Sequence, residues 1–137
     1  METVKLPLVS VAINTSLEYL VRELEDPQTQ IYERLYRQHP EVQSLFVLDA
    51  DGGVRGSMLQ TTLETILDYT AKGRLDHVIL GAWRSHHLAY EVDAELFTRF
   101  FIIIRDCAKD TLGGNWSTEM ESAWQDLLVQ VRASEAV

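Results

Sequence analysis

The sequence is poor in cysteine and in positive charge, and both shortages exclude classes of function. Its single cysteine, Cys107, cannot form an internal disulfide or supply a cluster of thiolate metal ligands. The 12 Lys and Arg residues are outnumbered by 21 Asp and Glu residues, which gives a formal net charge of −9. A chain of this charge is repelled by phosphate backbones and by anionic lipid surfaces, so we expect no nucleic-acid partner and no membrane partner.

Long apolar runs are missing as well. The N-terminus lacks the basic region followed by a long apolar stretch that a secretory signal requires. The longest apolar stretches, near residues 6–13 and 100–104, are too short to cross a bilayer. Together with the single cysteine, these features predict a cytoplasmic protein.

The composition that remains is that of a folded domain. The chain has 137 residues, of which 46% are hydrophobic and 24% are charged. These values are close to those of average globular proteins and exclude disorder as the bulk state. No linker-like or repetitive stretch divides the chain, so we predict one domain over residues 1–137.

The spacing of apolar residues is helical throughout. All three prolines lie in the first 40 residues, and an alternation of period two persists nowhere. Apolar residues instead recur at intervals of three and four, which is typical of amphipathic helices. Examples are Ile13, Leu17, Leu20, Val21 and Leu24, then Leu59, Leu63, Ile66 and Leu67, and later Phe97, Phe100, Phe101, Ile104, Ala108 and Leu112. We therefore predict an all-α fold of about seven helices.

Local signals predict several helix ends. Asp26-Pro27 is typical of a cap followed by proline in the first turn, and it predicts a helix that continues to Arg37. Ser57 is predicted to cap the next long helix, and Lys72-Gly73 to end it. Ser117 is predicted to precede the last helix.

Two adjacent histidines, His86 and His87, follow an apolar stripe. Leu75, Ile79, Trp83 and His87 are spaced by four, so His87 is predicted to point where the apolar side chains point. A histidine that faces a dry interior is either a hydrogen-bonded core residue or an axial ligand of a haem iron. Periodicity alone favours the core residue.

Tyr32 and Phe46 could likewise be either core residues or part of a ligand pocket. Tyr32 lies beside Ile31 and Leu35 on a predicted helix, where its hydroxyl could bond to the protein or donate to a ligand in a gas-binding pocket. Phe46 ends a short turn that begins at Pro40. Composition alone favours ordinary core packing for Phe46.

These residues occur in the order found in bacterial globins. Residues 31–46 resemble the second and third helices of single-domain bacterial haemoglobins and of the haem domain of flavohaemoglobins. Residues 87–97 resemble the stretch that carries the proximal histidine in that family. Leu112-Gly113 and Ala123-Trp124 fit the same pattern late in the chain. The resemblance covers roughly residues 13–134 and implies a globin-like fold around a haem-sized pocket.

The resemblance also implies a cofactor, haem b, and residues that hold it. It gives His87 the role of iron ligand, with His86 as the alternative ligand or as a contact of a haem propionate. It places Tyr32 on the distal side as a hydrogen-bond donor to a bound gas. It places Phe46 against the porphyrin ring.

The distal helix is matched less directly, because the alignment crosses a loop. Met58 and Thr62 come closest to the distal positions of the family, and Trp83 is expected in the wall of the pocket. The Gln or His that is common at the first distal position is not evident in this sequence.

The resemblance implies reversible binding of a diatomic gas, oxygen or nitric oxide, for carriage, sensing or scavenging. Several globin-fold proteins bind no haem, so the first alternative is a haem-free sensor or protein-interaction module. A further alternative is a nitric oxide dioxygenase that depends on an external reductase. The partners compatible with these interpretations are the gas, such a reductase and a second copy of the chain.

The sequence departs from flavohaemoglobins beside the expected iron ligand. In that family a tyrosine and a glutamate hydrogen-bond near the proximal histidine, but Phe97 stands at the tyrosine position and the sequence ends at Val137, before the glutamate. We therefore expect little of the electron donation that favours peroxidase or dioxygenase chemistry. No flavin or nicotinamide domain follows, so we expect that the chain alone is not an enzyme.

Overall fold

A computed structural model describes residues 8–88, 92 and 94–133. These residues form six α-helices: α1 (Leu8–Glu23), α2 (Pro27–Gln38), α3 (Gly53–Lys72), α4 (His77–Leu88), α5 (Ala94–Leu112) and α6 (Thr118–Ala133). A seven-residue 3-10 helix spans Pro40–Phe46, and a single 3-10 turn spans Gly113–Asn115. The described ranges contain no strand, which confirms the predicted all-α class. Residues 89–91 and 93, which belong to the globin-like stretch 87–97, and residue 134 lie outside the described residues.

Three helix ends form as the local sequence predicts. The Asp26 side chain accepts a hydrogen bond from the Thr29 backbone N–H at 3.1 Å and caps α2. Ser117 Oγ accepts from the Met120 N–H at 3.1 Å and caps α6. Gly73 adopts a left-handed φ of 75° after the last turn of α3, a conformation that glycine adopts without a steric penalty.

The predicted start of α3 at Ser57 is wrong, because α3 begins four residues earlier, at Gly53. The buried side chain of Asp49 accepts the N–H groups of Val54 and Arg55, each at 3.0 Å, and so caps this earlier turn. The glycine-rich stretch predicts a loop because glycine disfavours helix. The cap at Asp49 overrides that local preference.

The core is built around α1, which packs against α3, α5 and α6. The Trp124 indole N–H on α6 donates to Ser16 Oγ on α1 at 2.9 Å, and both residues are fully buried. Buried apolar side chains from all six α-helices join in one cluster with this pair. The stripe predicted on α5 is buried over its whole length.

The predicted stripe on α4 is wrong in part. Ile79 is 65% exposed, although it shares the four-residue spacing of Trp83 and His87. The face that turns inward instead carries Leu80, Trp83 and His87, at intervals of three and four. The reason is that α4 packs mainly against a single helix, α5, so that only a narrow face is covered.

Two other stripes are narrower than predicted. Val21 on α1 and Leu67 on α3 are 56% and 46% exposed, because each lies at the edge of its apolar face. The rest of both stripes is buried or packed against the core. None of the helices in the described ranges is both long enough and apolar enough to span a membrane.

Candidate functional site

An inner cavity of about 50 Å³ lies among α2, the Pro40–Phe46 helix, α3, α4 and α5. Its lining is apolar and rich in aromatic side chains. Six of the seven residues predicted from the sequence as site residues line this cavity: Tyr32, Phe46, Met58, Thr62, Trp83 and His87. The fold therefore brings these residues together from four different helices.

A larger outer cleft of about 460 Å³ adjoins the inner cavity. The two share lining residues from three helices and from the segment between α4 and α5: Leu45, Phe46, Met58, Trp83, His87 and Val92. The seventh predicted residue, His86, lines only the outer cleft and is exposed. His87 therefore lines both the inner cavity and the outer cleft, whereas His86 lines only the outer cleft.

His87 is held by the helix that carries it. Its side chain is buried, and its Nδ1 lies 2.9 Å from the carbonyl oxygen of Trp83, one turn earlier in α4. Because a carbonyl can only accept, this hydrogen bond requires the proton to be on Nδ1. Burial lowers the pKa of His87 below its usual value, and the neighbouring His86 lowers it further, against the opposing effect of the Trp83 carbonyl. The neutral ring then has an unprotonated Nε2, the form that binds a metal.

Among the described residues, the rings of Trp83, His86 and Phe97 contact the His87 ring, with the His86 ring edge-on at 5.8 Å between centroids. The Trp83 ring lies edge-on, with 5.2 Å between ring centroids, and the Phe97 ring lies tilted at 5.3 Å. Phe97 therefore lies against His87, and its ring cannot donate a hydrogen bond.

Tyr32 has a protein partner for its hydroxyl. The hydroxyl donates to the carbonyl oxygen of Arg55, in the first turn of α3, at 3.0 Å. Its ring packs against Phe46 and Phe100, with ring centroids 5.6 and 5.4 Å away. Burial raises the pKa of the Tyr32 phenol well above its usual value, so this group stays protonated.

Met58 and Thr62, which the sequence predicts for the distal helix, are joined by a hydrogen bond. Thr62 is fully buried, and its Oγ1 donates to the Met58 carbonyl at 2.8 Å within α3. Met58 contributes its side chain to the walls of both the cavity and the cleft. Neither residue offers an uncommitted hydrogen-bond donor on this side of the cavity.

The sequence analysis missed Asp49 and Arg55. Their ion pair has an Nε to Oδ2 distance of 2.9 Å, and Asp49 lines the outer cleft. The usual capping signal does not identify them, because the residue immediately before the helix is Gly52 and Asp49 lies three residues earlier. The hydrogen bond from Tyr32 to the Arg55 carbonyl spans 23 residues and has no local signal.

Metal binding at this site would depend on ligands from a cofactor. In the part of the chain that the structure describes, no three His, Cys, Asp or Glu side chains are grouped so that they could hold a metal ion. His87 by itself supplies one nitrogen ligand. A porphyrin carries four nitrogen ligands of its own, so one buried histidine in an apolar wall fits the ligand set of a haem iron.

No protein-family model matches this sequence, and no curated protein matches it significantly.

Proposed function

We propose that this protein has a globin-like fold, holds haem b and reversibly binds a diatomic gas. The observation that carries the proposal is the state of His87. It is a buried histidine in the wall of an apolar cavity, and its Nδ1 hydrogen bond to the Trp83 carbonyl leaves Nε2 for a metal.

The walls suit a flat apolar cofactor. Phe46, Met58 and Trp83 line both the inner cavity and the outer cleft, so a ring between them would contact apolar atoms on several sides. The inner cavity is far smaller than a typical small-molecule site, which measures roughly 300–1,000 Å³. The outer cleft, at about 460 Å³, falls within that range. The proposal therefore places the cofactor across the cleft and the inner cavity together.

Each residue then has a defined task. When bound, haem supplies the iron chemistry that coordinates a diatomic gas. His87 would hold the iron through Nε2, and the Trp83 carbonyl fixes the orientation and the tautomer of the ring. Tyr32 is the residue that can donate a hydrogen bond to the gas, provided that its hydroxyl leaves the Arg55 carbonyl. The aromatic walls exclude water.

An absorbance spectrum tests this proposal. The full chain is produced in cells supplied with haem precursor, and a second sample is mixed with hemin after purification. A strong Soret band in stoichiometric amount is the expected result, with a shift when carbon monoxide is added to the reduced protein. No Soret band in either sample, from a chain that is folded by circular dichroism, would overturn the proposal.

A haem-free sensor or interaction module with the same fold is the second candidate. Two observations favour it: the inner cavity is only about 50 Å³, and the hydroxyl of Tyr32 already has a protein partner. Both are expected if the aromatic side chains fill the site permanently. The same hemin titration separates the two candidates, because a permanently filled site binds no hemin.

A further inference from the structure

Asp49 and Arg55 form a closed unit at the start of α3. Asp49 Oδ2 accepts both the Arg55 backbone N–H at 3.0 Å and the Arg55 Nε–H at 2.9 Å. In return, Arg55 Nη2 donates to the Asp49 carbonyl at 2.7 Å. Asp49 Oδ1 accepts the Val54 N–H at 3.0 Å. This unit fixes the backbone and the side chain of Arg55 at once.

The turn that this unit holds is intrinsically weak. Gly53 and Gly56 both lie in the first turn of α3, and Gly52 precedes them with a left-handed φ of 75°. Glycine is among the poorest helix formers, so this turn has little helical preference of its own. Besides the cap at Asp49, Asp51 Oδ1 accepts the Gly53 N–H at 3.0 Å, and Gln28 Nε2 donates to the Gly52 carbonyl at 3.0 Å.

The same turn determines where the Tyr32 hydroxyl points. The acceptor for that hydroxyl is the Arg55 carbonyl, at 3.0 Å. A phenol has one proton to donate, so Tyr32 cannot donate to this carbonyl and to a ligand in the cavity at the same time. A gas molecule in the cavity would therefore compete with Arg55 for the Tyr32 proton.

We propose that Asp49 and Arg55 are positioning residues that hold the Tyr32 hydroxyl on the backbone of α3 and thereby weaken the retention of dioxygen. The inference rests on the proposed function, because it concerns gas binding in the same cavity. Loosening the first turn of α3 removes the competing acceptor and leaves the phenol proton to the ligand. Carbon monoxide is less polar when bound and gains little from a hydrogen-bond donor, so its release does not depend on this competition.

The central measurement is the rate of dioxygen release from the haem-loaded Asp49→Ala variant. The expected result is release roughly two- to tenfold slower than in the parent, the factor that corresponds to one ordinary hydrogen bond. The release of carbon monoxide changes by less than that factor. In the Tyr32→Phe background, Asp49→Ala has no effect on dioxygen release, because no phenol proton remains to be redirected.

A matched control separates positioning from general loosening of the fold. Ser117→Ala removes the cap of another helix, α6, and none of the lining residues of the cavity lies in that helix. It is expected to lower stability but to leave dioxygen release unchanged. Arg55→Gln is the second test variant, for use if Asp49→Ala does not fold. It keeps the backbone cap at Asp49 and removes the guanidinium contacts.

A second readout requires no haem. Proton NMR of the unloaded full chain follows the exchange of the Tyr32 hydroxyl proton with water, with assignment by its loss in Tyr32→Phe. We expect this proton to be protected in the parent and in Ser117→Ala, and to exchange at least about tenfold faster in Asp49→Ala. Equal protection in all three folded proteins would show that Asp49 does not hold the hydroxyl and would overturn the inference.

The failures of the two proposals are distinguishable. A chain without a Soret band overturns the proposed function, whatever the NMR result. A chain that binds haem, but whose Asp49→Ala and Arg55→Gln variants release dioxygen at the parent's rate, overturns the inference alone. Equal slowing of dioxygen and carbon monoxide release would also overturn it, because that pattern indicates a change in access to the cavity.

Discussion

His87 and Trp83 are joined by a hydrogen bond within one turn of α4, from Nδ1 to a carbonyl oxygen at 2.9 Å. The helix itself supplies the acceptor, so the orientation of the imidazole depends on α4 being helical at its C-terminal end. The adjacent His86 lies on the exposed side of the same turn. The two histidines therefore differ in burial, although they are adjacent residues of the same type.

This difference predicts different effects of two single substitutions. His87→Ala is expected to abolish stoichiometric haem binding, since it removes the nitrogen that we propose as the iron ligand. His86→Ala is expected to retain most of the haem binding, because His86 is exposed and lines only the outer cleft. Hemin titration followed at the Soret band measures both variants, with circular dichroism as the control for folding. Equal haem retention by His87→Ala and the parent would contradict the assignment, and loss in His86→Ala alone would transfer the ligand role to His86.

Tyr32→Phe tests the donor on the other side of the cavity. Removal of the hydroxyl is expected to speed dioxygen release while carbon monoxide binding changes less. A full hydrogen bond to a polar ligand would contribute a factor of about tenfold to a hundredfold. Because the Arg55 carbonyl competes for the same proton, we expect the lower end of that range. Stopped-flow release rates for both gases provide the measurement, and unchanged dioxygen release would leave Tyr32 with a packing role only.

Replacement of glycine by alanine is expected to have opposite effects on stability at Gly81 and Gly73. Gly81 lies inside α4, and a Cβ atom added there meets no other atom within 4 Å. Gly81→Ala is therefore expected to raise the free energy of unfolding by about 0.5–1 kcal/mol. Gly73 also has open space, but its φ of +75° strains any residue with a Cβ atom, so Gly73→Ala is expected to lower that free energy by about 1 kcal/mol. Urea unfolding decides between these signs, and destabilisation by Gly81→Ala would contradict the described position of α4.

The ionised side chain of Asp49 is expected to stabilise the fold, and this contribution should be lost in acid. The N–H of Val54 is the first cause of a lowered pKa at Asp49, and the contacts with Arg55 lower it further against the opposing effect of desolvation. A carboxylate whose folded pKa is depressed stabilises the fold above its unfolded pKa of 3.8 and loses that contribution as the pH falls through the folded value. Asp49→Asn is therefore expected to be less stable than the parent near neutral pH, and the two stability curves should converge below pH 3.8. Parallel curves from neutral pH to about pH 2 would show that Asp49 carries no such contribution.

The sequence predicts best what depends on neighbours along the chain. The caps at Asp26 and Ser117 and the left-handed Gly73 follow from residues within three or four positions, and each is present in the structure. The exposure of Ile79 could not be predicted in this way, since periodicity identifies an apolar face but not the helix that covers it. The start of α3 could not be predicted because glycine has a low helical preference. In the structure, the buried carboxylate of Asp49 accepts the Val54 N–H and stabilises this first turn.

In the candidate site, too, some features could be predicted from the sequence and others depend on contacts between distant residues. The aromatic and histidine positions were predicted from apolar spacing and from a resemblance to bacterial globins that no comparison tests, and the fold brings Tyr32, Phe46 and His87 to one cavity. The partner of the Tyr32 hydroxyl could not be predicted. It is a backbone carbonyl 23 residues away, and backbone acceptors have no residue type by which a sequence would reveal them.

The attachment of α4 to one principal neighbour, α5, has a consequence for how long a cofactor would stay bound. Helices with few buried contacts open locally at a free energy well below that of global unfolding. The amide protons of α4 should therefore exchange with deuterium before those of α1, which packs against three helices. A cofactor held by His87 would then leave on the timescale of this local opening. Its residence time would be set by how firmly α4 rests on α5 as well as by the strength of the nitrogen–metal bond.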